Sequence, residues 1–523
     1  MTYFQNSDFN KLPRRKLLGM FGIGLLGFGG LAACSKGKTG KGELRVALIG
    51  GPDSLDPFEA EFAISALLFR QYLLPVVGYG PHGAASPSIA KSWTSTPDFT
   101  NWTFEIASGL KWSDNTPLTA LDVVKSLQLG ADPKTAYPDA TELFSIKGYR
   151  DAVVNGADPK KIAVRLEGEN KVVIELEGAD ANFPLRMQEF YPVPMQTIAT
   201  YGANWTDIGK IVVSGPFIPT SRTQTRIVFD KNPSGGWTEN MPAKISVETV
   251  EDASTRVRMF QSKDVDLAQD PPLLRYTHLA REYGANFERT KAPRFIYMSI
   301  NTKRAQFRDK DIRRALSMGF NRDLISHNIM RDAVNPATRF IRDLPAIPYD
   351  KAGAQALLSA KGFSPTNPLR FELLVAKNER ERAAVQIASM WKEIGVEATI
   401  GTVDGSAIST RLNGFDFDAA IVQIDKGMKS DPLDLMASFG SGGNAYSHGW
   451  KNPDFDKALV EAAALPTGDA RNAALAKAES FLLSEVPLAP IWFGDSAWLR
   501  AERVTGGIEG MAPIIWPSLH VND

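Results

Sequence analysis

Three observations predict an α/β protein of more than one lobe. A chain of 523 residues exceeds what one ordinary hydrophobic core holds together, so two or three domains are expected. Residues 371–400 read as strand, helix and strand, an order that favours a right-handed crossover between parallel strands. No fixed-period repeat or long low-complexity tract appears, which argues against solenoids and disordered scaffolds.

The chain begins with an address. Lys11, Arg14, Arg15 and Lys16 precede an apolar, glycine-rich stretch over residues 17–33, the layout of a signal peptide over residues 1–33. Arg14 and Arg15, followed by Lys16, Leu17 and Leu18, resemble a twin-arginine export signal; Pro13 and Leu17 depart from its usual Ser/Thr and Phe. Leu31, Ala32, Ala33 and Cys34 resemble the bacterial lipobox. Cys34 is then the expected lipidation site, residues 34–42 form the anchor and tether, and each buried acyl methylene adds roughly 0.8 kcal/mol to membrane binding. The competing reading, a buried cysteine in one membrane-spanning helix, needs a longer apolar run. Gly22, Gly24 and Gly27 spell a dinucleotide-binding pattern, but no strand precedes them and they lie inside the signal.

Residues 43–49 alternate enough to begin a strand, and 103–106 and 171–176 read as further strands between turn residues. Thr119 and Asp122 have capping-box spacing, which predicts a helix from about Ala120 with Leu121, Val124 and Leu127 on one face. Later, Phe371, Leu373 and Val375 alternate as a strand. Ala383, Ile387, Met390, Trp391 and Ile394 mark a helix face ended by Gly395, and Val396, Ala398 and Ile400 resume strand alternation. Residues 418–424 suggest another strand. Trp93, Trp102 and Trp112 read as core.

Composition removes several function classes. Equal counts of 59 basic and 59 acidic residues leave no excess positive charge for nucleic-acid binding. One cysteine cannot close an internal disulfide, and five scattered histidines lack metal-site spacing, so neither a metal nor a cofactor is expected. No nucleophile-elbow, zincin or S-x-x-K pattern with partners supports the rival reading of an exported hydrolase, and no catalytic residue is assigned.

From Ser86 to Ser126 the landmarks run P-S-I-A-K-S-W, D-F-T-N-W-T-F and G-L-K-W-S-D-N-T-P-L-T-A-L-D-V-V-K-S. With residues 53–57 (D-S-L-D-P), 214–217 (S-G-P-F), 312–316 (I-R-R-A-L) and 452–456 (N-P-D-F-D), the mature chain resembles solute-binding protein family 5, the dipeptide- and oligopeptide-binding lipoproteins of ABC importers. The resemblance implies a two-lobed, type II periplasmic-binding-protein-like α/β fold with an additional small domain. Residues 43–57, 176–293 and 492–523 would form a discontinuous first lobe, 58–175 the small domain and 294–491 the second lobe. It also implies an exported monomer on the periplasmic or cell-surface face, closing on a peptide and serving an importer's permease and ATPase. An oligosaccharide, nickel chelate, glutathione or heme is the alternative ligand.

The resemblance further places Gly51, Asp53 and Ser54 in the early segment bordering the cleft, and Ile424, Asp425 and Met428 in the segment facing it. Peptide-binding members carry G-W there, then an Asp that binds the ligand's amino terminus, shortly before a D-P or E-P pair. Here Asp431 and Pro432 form the pair, Gln423 and Ile424 replace G-W, and Met428 stands at the Asp position; Asp425 substitutes if the loop is re-registered. A solvated loop acid is the plainer reading of Asp425. Asn444 and Tyr446 resemble the family's cleft edge, where either can hydrogen-bond a ligand; a loop asparagine and a packed tyrosine are the alternatives.

Overall fold

The computed structural model describes residues 42–342, 344–425, 431–443 and 448–522. Cys34, Met428, Asn444 and Tyr446 lie outside these residues, as does the signal segment. The crossover unit forms as Leu369–Ala376, Arg380–Lys392 and Val396–Val403, with its strands parallel from Leu369 opposite Val396 to Ala376 opposite Val403. Gly395 ends the helix at φ +93, and a Cβ there would meet the Ser364 backbone at 2.7 Å, so a side chain is excluded twice over.

Ala383, Ile387, Trp391 and Ile394 pack with Leu373 and Val375 in one core. Strand alternation accounts for only half of the burial, because Leu374 and Ala376 enter a second core with Ala420 and Val422. Parallel strands carry helices on both faces, so both sets of side chains are covered. Ala419–Asp425 extends the parallel group, pairing with Leu369–Ala376 from Leu373 opposite Ala419 to Val375 opposite Ile421.

Two long strands connect this group to the remainder of the sheet. Phe287–Ile300 runs antiparallel between Ala419–Asp425 and Leu488–Arg500. Its 14 residues reach about 45 Å, enough to belong to both halves. Beyond Leu488–Arg500 lie Leu267–Gln269, Glu43–Leu48, Lys244–Thr249, Arg226–Lys231 and Phe217–Arg222, in an eleven-stranded sheet. A register shift between Lys291 and Arg294 interrupts the crossing pair, and such irregularities bend a strand locally.

In the first half, Ala120–Ala131 begins where Asp122 accepts hydrogen bonds from the Thr119 N–H at 2.7 Å and hydroxyl at 2.8 Å. Its buried stripe runs through Ala120, Val123, Val124 and Leu127, whereas Leu121 is exposed. Val124 and Leu127 lie on the buried face as expected and Leu121 does not, because Ala120 starts the i, i+3, i+4, i+7 series. A four-stranded antiparallel sheet, Ala90–Ser95, Asn101–Ile106, Lys171–Glu175 and Val164–Glu167, stands apart from the large sheet. One hydrophobic core nevertheless joins Leu44 and Val247 of the large sheet to Phe104 and Leu127. From the separation of the sheets we propose lobe boundaries at 43–57, 176–293 and 492–523, at 58–175, and at 294–491.

Candidate functional site

Where the two halves face each other at the crossing strands, a cavity of about 470 Å³ opens. The crossing strands contribute Thr290, Lys291, Arg294 and Ser496; the first half adds Glu61, Phe62 and Arg70, and the second half adds Asp425. Among apolar residues such as Leu67 and Phe190, its lining holds three guanidinium groups, Arg70, Arg186 and Arg294, each engaged with a carboxylate.

Arg294 lies across Gly494, its partner in the sheet, where a Cβ would meet the Arg294 Cδ at 2.8 Å. The guanidinium reaches Asp425 at 3.1 Å and Asp270 at 3.7 Å. Burial disfavours its charge, but the two carboxylates outweigh burial and raise its pKa. Asp270 itself is pushed up by burial, which Arg294 only partly counters. Arg70, on Ala63–Tyr72, makes two bonds to the Glu189 carboxylate at 2.9 and 3.0 Å and one to the Tyr79 hydroxyl at 3.3 Å. Arg186 donates to Asp180 at 2.7 Å and reaches Asp434 across the cavity wall at 3.4 Å. Beside it, the Ala181 N–H donates to the Ala463 carbonyl at 2.9 Å.

Of the residues singled out in the sequence, Asp425 lines this cavity. Ile424 sits opposite Phe295 and, by strand alternation, packs against the second half's core instead. Gly51, Asp53 and Ser54 do not line it. Gly51 borders a separate surface pocket beside Arg222 and Thr249, and the Ser54 hydroxyl accepts from the Asp56 N–H. Asp53 turns back onto the start of Ala63–Tyr72, accepting from the Glu61 N–H at 2.6 Å and from the Ser65 hydroxyl. Partial burial pulls the Asp53 carboxyl up, yet these bonds outweigh it and leave the group below its ordinary value. Asp53 thus holds in place the segment from which Glu61 and Phe62 enter the cavity.

Two neighbouring turns are satisfied internally. At residues 440–443 (G-S-G-G) the Ser441 N–H donates to the Asp456 carboxylate at 3.0 Å. Asp431 caps Pro432–Ala437 through the Leu433 N–H at 2.9 Å and pairs with buried Arg471. Among the described residues no cluster of His, Cys, Asp or Glu is placed to hold a metal ion, and no helix is long and apolar enough to cross a membrane.

Sequence reasoning passed over Phe62, Arg70, Arg186 and Arg294. A signal existed for two of them. Arg70 interrupts the apolar run A-I-S-A-L-L-F, and Arg294 precedes the apolar F-I-Y-M of its strand; a lone arginine within a buried element needs a carboxylate from elsewhere. Phe62, 59% exposed, carries no such mark.

The chain matches the family model for bacterial extracellular solute-binding proteins, family 5 Middle, over residues 84–447. It is similar to the periplasmic murein peptide-binding protein MppA of Escherichia coli (strain K12), at 28% identity covering 84% of this chain and 86% of that protein. It is also similar to the periplasmic oligopeptide-binding protein OppA of Salmonella typhimurium, at 27% identity covering 88% of each. Among solved structures, that of the Escherichia coli murein tripeptide binding protein MppA superimposes with a TM-score of 0.77 over 92% of this chain and 98% of that one. At 24% identity this is a likeness of fold, the type II periplasmic-binding-protein fold. Because the family match spans well over half of its length, this protein belongs to the bacterial extracellular solute-binding proteins, family 5.

Proposed function

We propose that this chain is the extracytoplasmic binding component of an ABC importer and captures a peptide in the cavity at its crossing strands. The observation that carries the reading is a cavity between two halves joined by continuous strands, presenting Arg294 and Asp425 together. The pair is only partly buried, so a zwitterionic ligand can exchange with it, its carboxylate taking Arg294 and its ammonium Asp425. The edge of Ala419–Asp425 supports the same reading, since among the described residues its pairing with Leu369–Ala376 stops at Ile421. An extended peptide adds to such an edge through main-chain bonds that read length rather than side chains. The relatives named for murein peptides and oligopeptides agree.

Strands that belong to both halves let the lobes rotate about the register shift at residues 291–294. Ligand drives closure only through its preference for the closed form. Lipidated Cys34 would tether a monomer to the membrane, and Cys34→Ala should leave ligand affinity in solution unchanged; a weakened affinity contradicts a purely anchoring role.

Expression of residues 35–523, denaturation of the purified protein and mass spectrometry of what it releases test the proposal. Short peptides of narrow length and varied sequence are the expected result. Release of one saccharide, chelate or other metabolite, with no peptide, removes the peptide assignment.

A further inference from the structure

A separate cavity of about 500 Å³ opens in the first half, and no residue of 294–491 lines it. Stretches far apart in the chain build it: Leu73 follows the helix Ala63–Tyr72, Leu110 and Lys111 follow the strand Asn101–Ile106, and Met241, Ile508 and Ile515 lie in later loops. Leu110, Met241, Ile508 and Ile515 are half-buried, so a concave apolar surface stays open to solvent. The polar side chains along it are Arg70, Tyr79, Ser88, Lys111, Ser214 and Ser234, and neither Asp nor Glu lines it.

Most of these polar groups are committed within the protein. Arg70 is held by the Glu189 carboxylate, the Tyr79 hydroxyl donates to the Gln188 carbonyl at 2.7 Å, and the Ser234 hydroxyl donates to the Asn115 side chain at 3.0 Å. The buried Ser214 hydroxyl accepts from the Leu74 N–H at 2.9 Å and donates to nothing among the described residues. The exposed Lys111 ammonium has no hydrogen-bond or ion-pair partner among them. What remains is an apolar hollow with one uncompensated positive charge at its solvent edge.

We propose that this hollow is a second binding site, distinct from the central cavity, for a single-chain amphipathic carboxylate. The aliphatic tail lies against Leu73, Leu110, Met241 and Ile515, and the carboxylate takes the Lys111 ammonium. Size sets the class of occupant, since about 500 Å³ falls within the range of roughly 300–1,000 Å³ usual for small-molecule sites. Removing the tail and the half-buried wall from water supplies the attraction. The sign of the head group follows from the lining, where Lys111 is uncompensated and no carboxylate opposes an anion. Arg70 lines both this hollow and the central cavity and stands between them. Because the walls come from the first half alone, occupancy requires no closure of the lobes and does not depend on the peptide reading above.

The test is calorimetric titration of the purified protein with sodium decanoate and with decylammonium chloride, each below the concentration at which it forms micelles. The two probes share a tail and differ in the sign of the head group. Decanoate should saturate at one per protein and bind about fivefold more tightly than decylammonium, the scale of one exposed ion pair. Lys111→Glu, at an exposed position, should erase that preference or reverse it. Met241→Trp, which fills the hollow, should weaken decanoate by about tenfold or more. Absence of saturable decanoate binding, a preference for decanoate that survives Lys111→Glu, or unchanged affinity in Met241→Trp each overturns the assignment. What the central cavity releases on denaturation bears on none of these outcomes, so the two readings fail separately.

Discussion

The central cavity and the larger cavity beside it share a boundary and differ in which charged groups their walls hold. The central cavity is walled by ion pairs, Arg70 with Glu189 and Arg294 with Asp425 and Asp270. The larger cavity beside it mixes Trp93, Trp102 and Leu185 with Asp180, Asp431, Asp434 and Arg471, and Arg186 lies on the boundary. Partly buried charges held by their partners keep a fixed geometry, which under the proposed peptide reading suits an invariant feature of the ligand, its backbone.

The wall of the larger cavity rests on one buried carboxylate, and removing it should break the comparison most severely. Glu479 is fully buried and accepts from the Arg339 guanidinium and from the Phe340 and Ile341 N–H groups at 2.8 and 3.0 Å. Glu479→Ala leaves buried donors without an acceptor and should cost about 3–5 kcal/mol in urea unfolding. A loss below about 1 kcal/mol would show that water replaces the carboxylate.

Acid should separate the two regions next. His448 is buried beside Trp450, behind the core that contains Leu433 and Leu475, and burial pushes its imidazole down to about 4. Unfolded histidine titrates near 6.5, so as the pH falls the unfolded chain gains its proton first. The stability contributed by neutral His448 is present above pH 6.5 and disappears toward pH 4, on the order of 3 kcal/mol in all. The urea midpoints of wild type and His448→Gln should therefore draw together as pH drops from 7.5 to 4.5; a constant gap contradicts the assignment.

Arg186 sharpens the comparison, because it touches both spaces and both halves. Arg186→Met keeps the stem but removes the reach to Asp434, worth about 1.5 kcal/mol for a charge-assisted bond. The open population of ligand-free protein should rise roughly tenfold, read from distances between spin labels on the two halves. Unchanged distances would mean that the bonds from Ala181 to Ala463 and between Asn182 and Leu465 and Thr467 hold the halves together without it. The smallest effect is expected on the rim of the central cavity: Asp53→Ala should cost about 1 kcal/mol in stability, as loss of a helix-start acceptor does, and should weaken ligand binding through the displaced Glu61–Phe62 segment. Loss of stability with ligand affinity unchanged would confine Asp53 to the helix.

Elements were legible in the sequence wherever their cause is local. The Thr119 to Asp122 cap spans three residues, and the crossover unit declares itself through strand alternation, helical spacing and Gly395 within one short stretch. Leu121 was misplaced because an alanine at the start of the buried stripe carries little hydrophobic signal. Asp53 was expected at the cleft from a resemblance of its motif alone, and its carboxylate bonds at the start of the helix that begins ten residues later.

Local spacing and a long ordered motif were enough to determine the α/β class and the family. Only the tertiary structure decided which charges share the cavity. Arg70 and Glu189 are 119 residues apart and Arg294 and Asp425 are 131 apart, and nothing in the neighbourhood of either arginine names its partner. The partner is set by which strands lie side by side in the sheet. That order is fixed by burial of both faces of the sheet at once, a property of the assembled cores and of no single segment.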